Sequence, residues 1–142
     1  MNDLYFRMLE LTQQGFQCSQ ILILLGLEVL GRENPDLVRA MDGLNGGIGF
    51  CGKTCGALTG GACLLGLFAG KGRPEDPDDP RLKIMLYELL EWFETATAAY
   101  GGIDCMEILQ ENPANRKDRC PQLVQGVFEK VRDLLVENGY EF

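Results

Sequence analysis

Apolar positions along the chain recur at intervals of three and four residues, and no stretch convincingly keeps the two-residue alternation of a strand. In "DLYFRMLELTQQG", Leu4, Met8 and Leu11 share one helical face, with Asp3 as the expected N-cap and Gly15 as the stop. A more uniformly apolar helix follows in "CSQILILLGLEVLG". A shorter one is expected in "NPDLVRAMDGL", where Asn34 is placed to cap and Pro35 to fill the first turn. The glycine-rich run "GGIGFCGKTCGALTGGAC" leads into a helix expected from near Cys51 to about Gly70. Three prolines in "KGRPEDPDDP" then stop the flanking helices. "RLKIMLYELLEWFETATAAYG" reads as the longest helix, ended by Gly101 and Gly102, and a short one is expected from Cys105 through Gln110. In "PQLVQGVFEKVRDLLVENG", Leu123, Val127, Val131, Leu134 and Leu135 form one apolar stripe and Gly139 closes the helix. There is no internal repeat and no low-complexity tract. Residues 1–142 are therefore expected to form a single-domain, compact, all-α helical bundle of about six to seven helices.

Charge narrows the range of partners. The chain carries 21 acidic against 13 basic residues, a formal net charge of -8, and no basic cluster. A nucleic-acid partner or an anionic membrane surface would need a basic face, so neither is expected. Residues 54–70 are uncharged and approach the roughly 17 to 20 residues needed to cross a bilayer, but four glycines interrupt them and no aromatic belt flanks them. A buried core helix is the expectation there. The opening residues have acids at Asp3 and Glu10 and no apolar run behind a positive segment, which reads as a cytoplasmic protein without a secretory signal.

Six cysteines in such a compartment point to catalysis, metal binding or burial rather than structural disulfides. Histidine is absent, which removes the Cys-His pair, the usual nitrogen partner at zinc, and the C-x-x-C-H attachment of haem. On a helix beginning near Cys51, Gly52, Gly56 and Gly60 would line one face. Cys51 and Cys55 would sit about 40° apart beside it, with Cys63 about 80° further round. Such a glycine face is expected to receive a tightly packed helix or a bound group. The run Gly47 to Gly52 also matches G-x-G-x-x-G, but with no preceding strand it does not indicate a dinucleotide. Cys18, Cys55, Cys105 and Cys120 all fall at or near expected helix starts, where the partial positive charge lowers a thiol's pKa.

Cys18, the segment Cys55-Gly56-Ala57-Leu58-Thr59-Gly60, Cys105 and Cys120 resemble the signature of the C-GCAxxG-C-C family of redox-active proteins, with the central element written here as Cys-Gly-Ala. The resemblance covers nearly the whole chain and implies a redox or metal role for those four cysteines. Three thiol chemistries remain open: an iron–sulfur cluster on Cys18, Cys55, Cys105 and Cys120; thiol–disulfide exchange with Cys55 as nucleophile and Cys51 or another signature thiol resolving it; and a structural zinc site. A different class is a noncatalytic helical module with buried structural cysteines, whose glycine groove receives a partner's helix. Expected partners are a redox protein or a small-molecule thiol or disulfide, with self-association left open. The "PEDPDD" run and Glu88, Glu91 and Glu94 read as solvated surface, and Trp92 and Phe93 as core.

Overall fold

The computed structural model describes residues 3–142 and contains, among them, seven α-helices and no strand. These are α1 (Asp3–Gln13), α2 (Cys18–Leu30), α3 (Pro35–Met41), α4 (Gly56–Ala69), α5 (Arg81–Thr97), α6 (Cys105–Leu109) and α7 (Asn115–Glu137). Short 3-10 turns follow α3 at Asp42–Leu44 and α5 at Ala98–Tyr100. The all-α expectation holds, and so do the left-handed stops at Gly15, Gly101 and Gly139 and the cap of α3, where Asn34 accepts from the Leu37 N–H at 3.1 Å.

Three helix starts differ from the sequence reading, each for a local reason. Asp3 lies within the first turn of α1, and the cap position before it falls outside the described residues. Helix α4 begins at Gly56, because residues 46–52 are spent on a left-handed loop and Thr54 pairs with Asp104 in an isolated bridge. Helix α7 begins at Asn115 and carries Pro121 inside it, past the first turn, where its missing N–H leaves the Lys117 carbonyl without its ladder partner. That start makes α7, with 23 residues, longer than α5 with 17.

Helix α4 contains no charged residue and packs against α2, α5 and α7, so it is buried on most of its circumference. Leu64 and Leu65 are fully buried there, against Leu22 of α2, Met85, Leu89 and Phe93 of α5, and Val127, Val131, Leu134 and Leu135 of α7. Glu88, Glu91 and Glu94 remain on the exposed side of α5. No helix among the described residues is long and apolar enough to cross a membrane.

The α2–α4 contact is the most extensive in the structure, and glycines set its distance. A Cβ at Gly60 would stand 2.9 Å from Ser19 Cα and 3.2 Å from the Ser19 carbonyl oxygen, so nothing larger than hydrogen fits beneath α2. At Gly56 a Cβ would collide with Cys18 Sγ and approach the Leu44 carbonyl at 3.1 Å. The group that comes close to this backbone is thus the chain's own α2.

Two substitutions separate contact from propensity. Gly60→Ala is expected to lower stability by about 1–3 kcal/mol, because the neighbour is backbone and cannot yield without parting the helices. Gly66→Ala, in the same helix but with nothing within 4 Å of its Cβ, should raise stability by about 0.5–1 kcal/mol. Urea midpoints of the two variants against the parent check both signs.

Candidate functional site

Four cysteines from four helices meet at one end of the bundle. Cys18 is the first residue of α2, Cys55 is the N-cap of α4, Cys105 is the first residue of α6, and Cys120 lies in the second turn of α7. A charge on Cys18 is felt by Cys55, Cys105 and Cys120, and Cys120 interacts in turn with Cys55 and Cys105. All six cysteines of the chain are free.

Local bonding explains how each sulfur is held. Asn45 is fully buried and acts as a hub: its Oδ1 accepts from the Ser19 N–H at 3.2 Å, lies 2.6 Å from Ser19 Oγ, and receives the Cys18 thiol at 3.9 Å. Its Nδ2 donates to Gln20 Oε1 and to Asp42 Oδ1, both at 3.0 Å, and Gln20 Nε2 donates to the Val38 carbonyl at 3.2 Å. A buried amide with both ends satisfied fixes the start of α2 against the chain entering the glycine loop.

Past Asn45 the backbone takes a left-handed course, with φ of 67° at Gly46, 77° at Gly47, 64° at Ile48, 60° at Gly49 and 61° at Phe50. At Gly47 the requirement for glycine is twofold, since a Cβ would also stand 2.5 Å from the Lys53 nitrogen. Ile48 and Phe50 hold this conformation with their side chains exposed, at a cost of about 1–2 kcal/mol each. The loop delivers residues 52–55 to the start of α6. Cys55 N–H donates to the Ile103 carbonyl at 3.1 Å, Cys105 N–H to the Lys53 carbonyl at 2.6 Å, and Met106 N–H to the Gly52 carbonyl at 3.1 Å. Cys55 and Cys105 are thereby tied to one small backbone lattice. The start of α7 is joined to α6 by Arg119, which donates to the Ile108 carbonyl at 2.6 Å, and by Asn115, which donates to the Leu109 carbonyl at 2.9 Å.

Burial decides the electrostatics. The Ala57 and Leu58 N–H groups face the Cys55 sulfur, as expected at a helix start, yet burial outweighs them and pushes the thiol up to about 12. Burial likewise raises Cys120 to about 11 and raises Cys105, with the Arg116 guanidinium pulling both the other way. The expectation of low-pKa thiols is therefore corrected at Cys55, Cys105 and Cys120: the helix-start field exists at Cys55, but removal from water costs the thiolate more. Cys120 lies in the second turn of α7 rather than at its start, because α7 begins at Asn115.

The remaining predicted residues separate from this group. Cys51 is exposed in the loop, with its thiol 3.8 Å from the Gly49 carbonyl, and shares no helical strip with Cys55. Gly52 is outside α4, with φ of 77° and Met106 Cβ 3.0 Å from where its own Cβ would be, so only Gly56 and Gly60 form the expected stripe. The groove of those two is filled by α2 and is not free for a partner's helix. Cys63 packs against the small apolar cluster of Ile23, Leu27, Val38 and Met41, away from the four thiols. Three residues that matter here escaped the sequence reading: Asn45, Ser19 and Arg116. A polar "CSQ" opening an otherwise apolar helix, and an asparagine directly before two glycines, were the available signals.

The raised thiols have a consequence for stability. Cysteine in an unfolded chain titrates at about 8.5, so between about pH 9 and 11 the folded state keeps protons on Cys55 and Cys120 that the unfolded state has lost. Their contribution is complete below that range and is lost as pH rises through it, by about 1.4 kcal/mol per pH unit for each proton retained. Urea unfolding from pH 8 to pH 11 should show a steeper fall in the parent than in a Cys55→Ser, Cys120→Ser variant. Equal slopes would mean that neither thiol is held protonated.

No curated protein and no solved structure matches the chain. The model of one protein family does, over residues 16–134, a span that contains all four convergent thiols. The family is described as "putative redox-active protein (C_GCAxxG_C_C)", and by this match over most of its length the chain belongs to it.

Proposed function

We propose that Cys18, Cys55, Cys105 and Cys120 act as one sulfur donor set for a thiophilic redox centre, an iron–sulfur cluster ahead of zinc. The observation that carries this reading is a geometric one: Cys18 Sγ sits over Gly56 beside Cys55, backbone hydrogen bonds tie Cys55 to Cys105, and Cys18 and Cys120 line one cavity, each thiol coming from a different helix. Thiolates suit iron–sulfur clusters and zinc, and the absence of histidine leaves sulfur as the dominant donor. Of the two, only the cluster is redox-active, in keeping with the family. When bound, it would supply one-electron transfer.

The protein's own contribution is steric and electrostatic. Thiols pushed up by burial give up their protons when a cation takes their place, so metal uptake and proton release are coupled. Arg116 offsets part of the negative charge that four thiolates would bring. The Ala57 and Leu58 N–H groups supply donors toward sulfur at Cys55. Among the described residues no three His, Cys, Asp or Glu side chains already stand in a metal-holding arrangement, so uptake involves rotation of the thiol side chains. In the reducing, cytoplasmic setting expected from the sequence, the thiols would stay free for this role.

Thiol–disulfide exchange is the second reading, favoured by a surface cavity that reaches Cys18 and Cys120. Two of the four thiols would then pass two electrons and two protons to an external disulfide, on a partner protein or a small molecule. The raised pKa values of Cys55 and Cys120 weigh against either as a fast attacking group at neutral pH.

Protein purified without oxygen is expected to contain iron and acid-labile sulfide in similar amounts, both lost in Cys55→Ser while circular dichroism keeps the helical signature. Zinc without sulfide would make the site structural. Neither metal nor sulfide, together with the loss of two titratable thiols on mild oxidation, would replace this reading with disulfide exchange.

A further inference from the structure

The cavity beside the thiols combines apolar walls with positive charge. It has a volume of about 470 Å³ and lies between α1, the start of α2 and the first turns of α7. Met8, Ile21 and Val124 form apolar wall, and Cys18 and Cys120 add sulfur to it. Arg116 and Lys117 stand on the α7 side. Among the described residues no aspartate or glutamate lines it, in a chain that carries 21 acids against 13 bases.

The contrast with the other large cavity is direct. That one, about 520 Å³, is lined by Arg7, Arg32 and Arg39 but also by Glu28, Glu33 and Asp42, so its cations already have anions beside them. Arg7 donates to Glu28, and Arg39 to Asp36 at 2.6 Å. At the thiol cavity, Lys117 is exposed and Arg116 rests over the Phe50 ring at 5.4 Å, a contact that positions the guanidinium without neutralising it. Two cations at one side of an apolar recess, in an otherwise acidic molecule, select for negative charge on an apolar ligand.

We propose that this cavity is a binding site for a small molecule with an anionic head and an apolar body, the head held by Arg116 and Lys117 and the body lying against Cys18 and Cys120. The inference deepens the reading of the four thiols as the reactive centre, and rests on it for the purpose of bringing such a molecule to sulfur. A carboxylate or sulfonate head is recognised by the planar guanidinium in the paired geometry that lysine alone cannot give. Apolar bulk in the recess would shield the two thiols from water.

The test uses the full chain and two fluorescent probes of matching shape, anilinonaphthalene sulfonate and the uncharged phenylnaphthylamine. Expected are saturable one-to-one binding of the sulfonate, affinity above that of the neutral probe by about tenfold, and a loss of about tenfold in an Arg116→Gln, Lys117→Gln variant. Lys117→Gln alone changes only an exposed side chain and should lose about threefold, which keeps the test decisive if the double variant misfolds. Bound sulfonate should also slow alkylation of Cys120 by iodoacetamide, read by mass spectrometry. Equal affinity for the two probes, no effect of either variant, or unchanged alkylation of Cys120 would overturn the proposal. The binding readouts do not depend on metal or sulfide, and alkylation is compared with and without sulfonate on the reduced, metal-free chain, so a thiol site that proves not to bind a cluster and a cavity that proves not to bind an anion give separate results.

Discussion

The close approach of α2 to α4 is the constraint on which the rest of this structure depends. Gly60 lets the Ser19 backbone settle against α4, and Gly56 leaves room for the Cys18 sulfur directly over the residue that follows Cys55. Two cysteines 37 positions apart in sequence are thereby brought to one place by the absence of two side chains. The buried Asn45 hub then fixes the start of α2, and the left-handed loop after it returns the chain to the Cys55 cap and the Cys105 turn. Packing, polar satisfaction and backbone strain all converge on the same few residues, the usual mark of a site whose geometry is held at some cost to stability.

At that site two effects oppose each other. Helix N-termini offer N–H groups that favour a thiolate, while the apolar surroundings favour the neutral thiol. At Cys55 the second wins clearly, because the residue is only 7% exposed and other thiols stand nearby. Taken alone, this describes a set of inert cysteines. Taken with four sulfurs and a nearby guanidinium, it describes a site where ionisation waits for a positive charge to arrive. In the cavity alongside, the cations Arg116 and Lys117 are separate from the sulfur donors themselves.

Much of the fold was legible because helices announce themselves twice, by the spacing of apolar residues and by their caps. The stripe from Leu123 to Leu135, the Asn34-Pro35 start of α3 and the glycine stops needed no tertiary information. The four signature cysteines were legible from their placement and family pattern, but not their environment. Whether a helix start leaves a thiol exposed or buried depends on what packs over it, and that information lies in other elements. The glycine run misled for a related reason: spacing of four places Gly52 in register with Gly56 and Gly60, while the bridge between Thr54 and Asp104 prevents the helix from extending back to it. Pro121 suggests a helix start beside Cys120, but the structure carries this proline inside α7, past its first turn. Asn45 and Arg116 became visible only with their partners in view.

The most direct measurement is a titration of the reduced protein with zinc ion under pH-stat control at neutral pH, with free metal followed in parallel. If the four thiols are one donor set, with Cys55, Cys105 and Cys120 held protonated by burial, one ion binds per chain and about three or more protons are released with it. Failure to bind one equivalent, or binding with release of no more than about one proton, would contradict the claim that these cysteines form a single sulfur site.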